Sequence, residues 1–164
     1  MLVDYVISRG IPPALAKWYL HEVRYRNSNR EYYAVGFKTD KGSYAIRSKS
    51  FKGWLGQSAI RTIPVAGSTS VDVFEGFFDF LSALTYNRLL RPVSTTVVLN
   101  STTNLNQTLS AFEGAKTVNC YLDNDNAGRS SFAKLKALHL PVNDCSYIYG
   151  NYNDFNDMVC HSTV

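Results

Sequence analysis

The sequence predicts an α/β fold: a parallel sheet of about four strands flanked by helices, preceded by a small basic α+β segment. Three observations carry this. Beyond residue 66, short apolar runs alternate with helix-period segments, the rhythm of βαβ units. Before it, one helical stretch is followed by two strand-like runs around Asp40-Lys41-Gly42. The charge also changes sign between the two parts. The predicted division is therefore an N-terminal helix plus basic hairpin over 1–66 and an α/β domain over 67–164.

Residues 12–23 (PPALAKWYLHEV) read as a helix, with Pro12 and Pro13 at its start and Leu15, Trp18, Tyr19 and Val23 at helical spacing. REYYAVGFKT and SYAIRS read as a two-stranded hairpin with Gly42 in its turn. Strands are then predicted over 71–75, 95–100, 117–122 and 145–149. The predicted helices are 77–90 (Phe77, Phe80, Leu81 and Leu84 on one face), a weaker one over 104–114, 127–138 (Phe132, Leu135 and Leu138 inward) and a short one over 154–160.

An apolar share of 45% over 164 residues is ordinary for a globular chain and enough for a real core. Cys120, Cys145 and Cys160 are odd in number and form no C-x-x-C, which argues against a disulfide framework or a zinc site. An intracellular, cytoplasmic setting is expected. MLVDYVISRG has no basic flank before a long apolar run, so no signal peptide is read there, and no stretch approaches the roughly 20 residues that span a bilayer. Between Arg24 and Arg61 nine Lys/Arg stand against Glu31 and Asp40, a net +7; from Thr62 on, six basic residues stand against nine acids, a net −3. A cationic segment beside an anionic one suits a polyanion partner, although a solvated basic face gives the same count.

Ligands of open α/β sheets bind at the carboxyl ends of the strands. Glu75 ends the first such strand, Asn100 the second, and Asp123 and Asp125 follow the third. Unit charges about 4 Å apart repel by about 1 kcal/mol in water and about 4 kcal/mol at an effective dielectric of 20. A cation removes that cost, and hard carboxylate oxygens select magnesium or manganese. Gly76 and Gly128 leave room beside the ligands for a sharp turn and a phosphate. The competing reading is helix capping, which is the better account of Asp125 taken alone and at least an equal one for Asp79. A calcium loop is excluded, because its fifth and twelfth positions are Ala127 and Lys134.

Glu75-Gly76-Phe77-Phe78-Asp79 resembles the E-G-x-x-D element of TOPRIM domains, and Asp123-Asn124-Asp125-Asn126-Ala127-Gly128 resembles their D-x-D-x-x-G element. Arg129 after the second element, Leu99–Thr103, the late Tyr152–Asp157 segment and Phe51-Lys52-Gly53 resemble the primase branch, in the style of mobile-element proteins. Asn156 stands where cellular primases often carry an acid.

The resemblance implies a TOPRIM fold and a DNA primase-type nucleotidyltransferase, making RNA primers on single-stranded DNA from nucleoside triphosphates. Glu75, Asp123 and Asp125 would be catalytic and hold one or two Mg²⁺ or Mn²⁺ ions, with Asp79, Asp154 and Asp157 as further metal candidates. Lys38, Arg47, Lys52 and Arg129, with Gly76 and Gly128, would meet nucleotide or template phosphates. Tyr32, Tyr33 and Tyr44 are candidates for base stacking. A zinc-binding segment and a helicase are the implied partners, with no membrane. The same residues leave open a metal-dependent nuclease and a catalytically silent nucleic-acid-binding module.

Overall fold

The computed structural model describes residues 2–162. Two short helices, α1 (Leu2–Ser8) and α2 (Pro13–Tyr19), lead into an antiparallel sheet in the order β1 (Leu20–Asn27), β2 (Arg30–Lys38), β3 (Tyr44–Ser48) and β4 (Phe51–Leu55). The expected two-stranded hairpin, β2 with β3, is thus the centre of a four-stranded sheet. The helix expected over 12–23 stops at Tyr19, and Leu20 is already extended at φ −107° and ψ 146°. The reason lies in residues 22–26, where Val23 and Tyr25 alternate with Glu22, Arg24 and Arg26, a period-two pattern. β1 pairs with β2 along its whole length, from Leu20 opposite Phe37 to Asn27 opposite Arg30. Ser28 and Asn29 close that hairpin at φ 44° and 64°, the positive-φ pair that a tight two-residue turn requires. Trp18, one of the residues at helical spacing, is exposed under the Arg91 guanidinium, 5.2 Å from its ring.

The second sheet runs β5 (Arg61–Ile63), β7 (Thr95–Val98), β6 (Ser70–Phe74), β8 (Thr117–Tyr121), β9 (Val142–Asp144). β7, β6, β8 and β9 are parallel, and β5 is an antiparallel edge. The fourth parallel strand is not 145–149 but Val142–Asp144. Residues Ser146–Tyr149 form a 3-10 turn. Cys145 and Tyr149 are both buried there, while Tyr147 between them is exposed, so one turn of helix satisfies the apolar residues that a strand reading also fits. The Tyr149 hydroxyl donates to the Leu122 carbonyl at 2.9 Å and pins the turn under the end of β8.

The helices are α3 (Phe77–Tyr86), a 3-10 helix over Thr102–Phe112, α4 (Asn126–Ala137) and α5 (Phe155–His161). α3 ends four residues sooner than expected, where the Asn87 side chain donates to the Ala83 carbonyl and Arg88 turns to φ 55°. Leu138 lies beyond α4 and is exposed rather than inward.

Alternation along the strands feeds two cores. Val71, Val73, Val97, Leu99, Val118 and Cys120 meet Leu105, Phe112 and Leu135 on one face. On the other, Phe74 packs with Phe77, Phe80 and Leu81 of α3 and Phe155 of α5, and that core continues into Ile11, Leu15, Val35 and Phe37. Each such side chain contributes about 1.5–3 kcal/mol on burial. Phe37 stacks on Phe77 at 5.4 Å, and Tyr5 meets Phe78 edge-on at 5.7 Å. The N-terminal segment is therefore mounted directly on the first turn of α3. No helix among the described residues is long and apolar enough to cross a membrane.

One buried polar residue ties these parts together. Asn156 donates from its side-chain amide to the Arg9 carbonyl and the Ser82 hydroxyl, each at 2.7 Å, and from its backbone N–H to Asp79 at 3.2 Å. Replacing Asn156 with Ala leaves two buried acceptors unpaired, and should lower the unfolding free energy by about 1–3 kcal/mol in chemical denaturation. Gly128→Ala should destabilise by about 1–3 kcal/mol in the same assay, because its added Cβ would collide with the Asp123 backbone carbonyl.

Candidate metal centre

Three ends of chain deliver the acids. β6 runs into Glu75 and Gly76, and the first turn of α3 places Asp79 beneath them. β8 runs into Asp123, and Asp154 caps α5. One carboxylate oxygen from each of Asp79, Asp123 and Asp154 lies within 4.8 Å of the others. Glu75 lines the same cavity of about 200 Å³, and its Oε2 accepts from the Asp123 N–H at 3.2 Å. Asp125 takes a different post: it is exposed, and its Oδ1 accepts from the Gly128 N–H at 2.8 Å as the N-cap of α4. Asp157 donates its N–H to Asp154 at 2.6 Å, while its own carboxylate faces His161 at 3.1 Å.

Backbone donors fix the cluster. Asp79 accepts from the Gly76 N–H at 3.1 Å and from the Asn156 N–H at 3.2 Å. Gly76 allows this approach, since a Cβ there would stand 2.8 Å from Asp79 Oδ2. Asn124 anchors the loop from the other side, donating its side-chain amide to the Tyr152 carbonyl at 2.9 Å.

The acids are crowded and poorly solvated. Burial, then the charges of Asp79, Glu75 and Asp154, pushes Asp123 up to about 9. Burial and the Asp154 charge push Asp79 up to about 7. Glu75 is raised chiefly by burial. A cluster of hard oxygen donors that holds its protons for want of positive charge fits a divalent cation such as Mg²⁺. Asp79, Asp123 and Asp154 would hold it, with Glu75 beside them.

Cations share that lining. Arg9, Arg47 and Lys52 line the cavity with the acids. The Arg47 guanidinium lies 5.7 Å from the Phe77 ring and is pushed below its ordinary value, mainly by burial. Lys38 is exposed on β2 and Arg129 on α4, and neither lines the cavity. The cavity shares Arg9, Arg47 and Lys52 with a groove of about 1010 Å³, along which Tyr32, Tyr33, Lys49 and Phe51 lie. Tyr44 is turned away, edge-on to His21 at 5.5 Å. Arg9 is the cavity-lining cation that sequence reasoning missed. Its only sequence signals are a charge and the following Gly10, which closes α1 at φ 68°.

Residues 72–159, more than half of the chain, match the Toprim-like family model, and residues 1–56 match a domain of unknown function, DUF8464. No curated protein matches the chain by sequence. Among solved structures, the primase fragment of the bacteriophage T7 primase-helicase protein is similar at TM-score 0.63 and 18% identity, over 93% of this chain and 66% of that one. The Aquifex aeolicus primase, comprising zinc-binding and RNA polymerase domains, is similar at TM-score 0.51 and 16% identity, over 80% and 44%. A DNA primase domain from Pseudomonas aeruginosa gives TM-score 0.51 and 14% identity, over 80% and 57%. The chain thus spans just under two thirds of the phage fragment.

The crowding gives a pH dependence. The folded chain keeps protons on Asp79 and Asp123 up to about pH 7 and about pH 9, whereas the unfolded chain releases them near the ordinary aspartate value of 3.8. The unfolded state binds fewer protons across that window, so stability falls as pH rises through it. With divalent ions chelated, the melting temperature should fall from pH 5 to pH 9. Asp123→Asn should flatten that slope, and added Mg²⁺ should restore stability at pH 9. An unchanged slope in Asp123→Asn removes the crowding as its cause.

Proposed function

The chain belongs to the Toprim-like family, and we propose that it is the catalytic module of a primase-like nucleotidyltransferase, joining ribonucleotides on a single-stranded DNA template. The observation that carries the reading is the meeting of Asp79, Asp123 and Asp154 in a cavity that Arg9, Arg47 and Lys52 also line. Acids that face cations without pairing leave space between them for a metal-bound phosphate. The structural likeness to primases is in keeping with this.

One or two Mg²⁺ or Mn²⁺ ions, when bound, would supply charge neutralisation at the transferring phosphate and Lewis acidity at the attacking 3′-hydroxyl. The chain's residues do the rest. Asp79, Asp123, Asp154 and Glu75 hold the metal, and Gly76 and Asn156 orient Asp79. Asp125 keeps α4 and the Asp123 backbone in register and adds negative charge near Asp123. Arg47 and Lys52 draw the phosphates in, while Tyr32, Tyr33 and the basic groove receive the template strand. Lys38 and Arg129 are placed to meet phosphates farther along the strand. Residues 1–66 act as the basic template-binding part and 67–164 as the metal-binding part. The partners follow those the neighbours' names carry, a helicase and a zinc-binding segment, and the setting is cytoplasmic.

Incubation with single-stranded DNA, labelled ribonucleotides and Mg²⁺ or Mn²⁺ should yield short RNA. Asp123→Asn should reduce this by more than about 100-fold, beyond the 10–100-fold typical of a change outside the ligand set. Asp125→Asn preserves a capping side chain and should fall within that 10–100-fold range. Strand degradation without nucleotides would instead mark a nuclease using the same acids. Binding of DNA with neither activity, retained in Glu75→Gln, would mark a silent binding module.

A further inference from the structure

We propose that the outer face of the antiparallel sheet, the one turned away from α1, α2 and α3, is a base-stacking platform for single-stranded DNA. It carries the template strand of the reading above, on which this inference rests, beyond the groove.

Strand alternation divides the sheet into two faces. Val35, Phe37 and Ala45 enter the core with α1, α2 and α3, and Tyr33, Arg47 and Lys52 fall on that inner side. Tyr25, Tyr32, Tyr44 and Phe51 alternate to the outer side. There Tyr25 and Tyr32 stack across β1 and β2, with centroids 5.4 Å apart and planes 20° apart. Phe51 stands 6.2 Å from Tyr25, and a Cβ at Gly53 would stand 2.5 Å from its ring, so the ring lies against bare backbone. Tyr32 and Phe51 are nevertheless exposed.

The charge on this face has one sign. Arg30 and Lys38 alternate onto it, and both are exposed. The acids of these strands, Glu22 and Glu31, alternate to the other side, where Glu31 meets Arg24 at 2.9 Å and Arg26 at 3.5 Å. Rings set among cations without an acid suit a single strand, whose bases add to the rings and whose phosphates meet the cations. A four-stranded sheet displaying aromatics can stack two or three bases in this way.

The groove beside the metal centre joins the two faces. Tyr33, Arg47 and Lys52 line it from the inner side and Tyr32 and Phe51 from the outer, around the turn at Lys49 and Ser50. Tyr25 touches both outer rings but does not line the groove. Tyr25 therefore separates the platform from the groove.

The test is fluorescence anisotropy of the full chain with a labelled 20-nucleotide oligothymidylate, over a range of salt concentrations. An oligouridylate and a DNA duplex of the same length are the comparisons. Tyr25→Leu should weaken oligothymidylate binding by about fivefold or more. The salt slope should not change, because no phosphate contact is lost, and duplex binding should not change, because its bases are already stacked. Tyr25→Phe keeps the ring and should bind as the unaltered chain does. If Tyr25→Leu does not fold, Phe51→Leu on the edge strand carries the test.

Unchanged oligothymidylate affinity in the leucine variant overturns the platform, as does a loss that Tyr25→Phe shares. A loss confined to oligouridylate overturns the assignment to the template in favour of an RNA strand. A dimer of the unaltered chain that Tyr25→Leu dissolves, with DNA affinity unchanged, overturns the platform in favour of an interface between copies. Binding that Tyr25→Leu weakens, in a chain that makes no RNA, refutes the primase reading alone. RNA synthesis with unchanged affinity in Tyr25→Leu refutes the platform alone.

Discussion

Like charges held together out of water are what the rest of this structure answers to. Asp79, Asp123 and Asp154 reach one point from three separate parts of the chain, the first buried and the other two half-buried, which reduces the solvent that would screen them. Each is restrained by a donor or a turn that has few substitutes. Asp79 has the N–H groups of Gly76 and Asn156. Asp154 has the Asp157 N–H. Asp123 stands where Gly128 lets α4 begin against its backbone. The parallel sheet brings two of these ends side by side, and α5 closes the third side. The N-terminal segment adds Arg9, Arg47 and Lys52 to the cavity lining, the two arginines over the Phe78 and Phe77 rings of α3.

Much of this was legible in the residues. Three of the four parallel strands and the carboxyl-end placement of Glu75 and Asp123 follow from period and spacing, and the late Asp154 element from the family resemblance. Errors arose where two structures satisfy one pattern. Leu20–Asn27 continues an apparent helix, yet its alternating Val23 and Tyr25 belong to a strand. Cys145–Tyr149 carries enough apolar residues for a strand, yet two of them suffice to bury a 3-10 turn. In the first case the partner β2 follows after a two-residue turn; in the second the turn is held by the Leu122 carbonyl, a partner distant in sequence that leaves no local mark.

The distribution of roles among the acids was less legible for a related reason. Asp79, Asp125, Asp154 and Asp157 all lie at helix starts, where capping and metal binding use the same residue type. Asp154 caps α5 and also stands in the acid cluster, whereas Asp125 caps α4 and stands outside it. Only the direction of each carboxylate separates the two, and direction depends on the packing of α5 against α3. Arg9 was invisible for the same reason: its place beside the acids comes through Asn156, 147 residues away.

The core shared by the antiparallel sheet and α3 bears on ancestry. Two family descriptions meet within this chain, one ending at residue 56 and the other beginning at 72, as though two exchangeable parts had been joined. The stacked rings of Phe37 and Phe77 span that join. A graft that imported a foreign N-terminal part would expose Phe77 and unseat the helix that carries Asp79. The two parts have therefore to change together, and descent by shuffling is easier to imagine for the outer edges of this protein than for its middle.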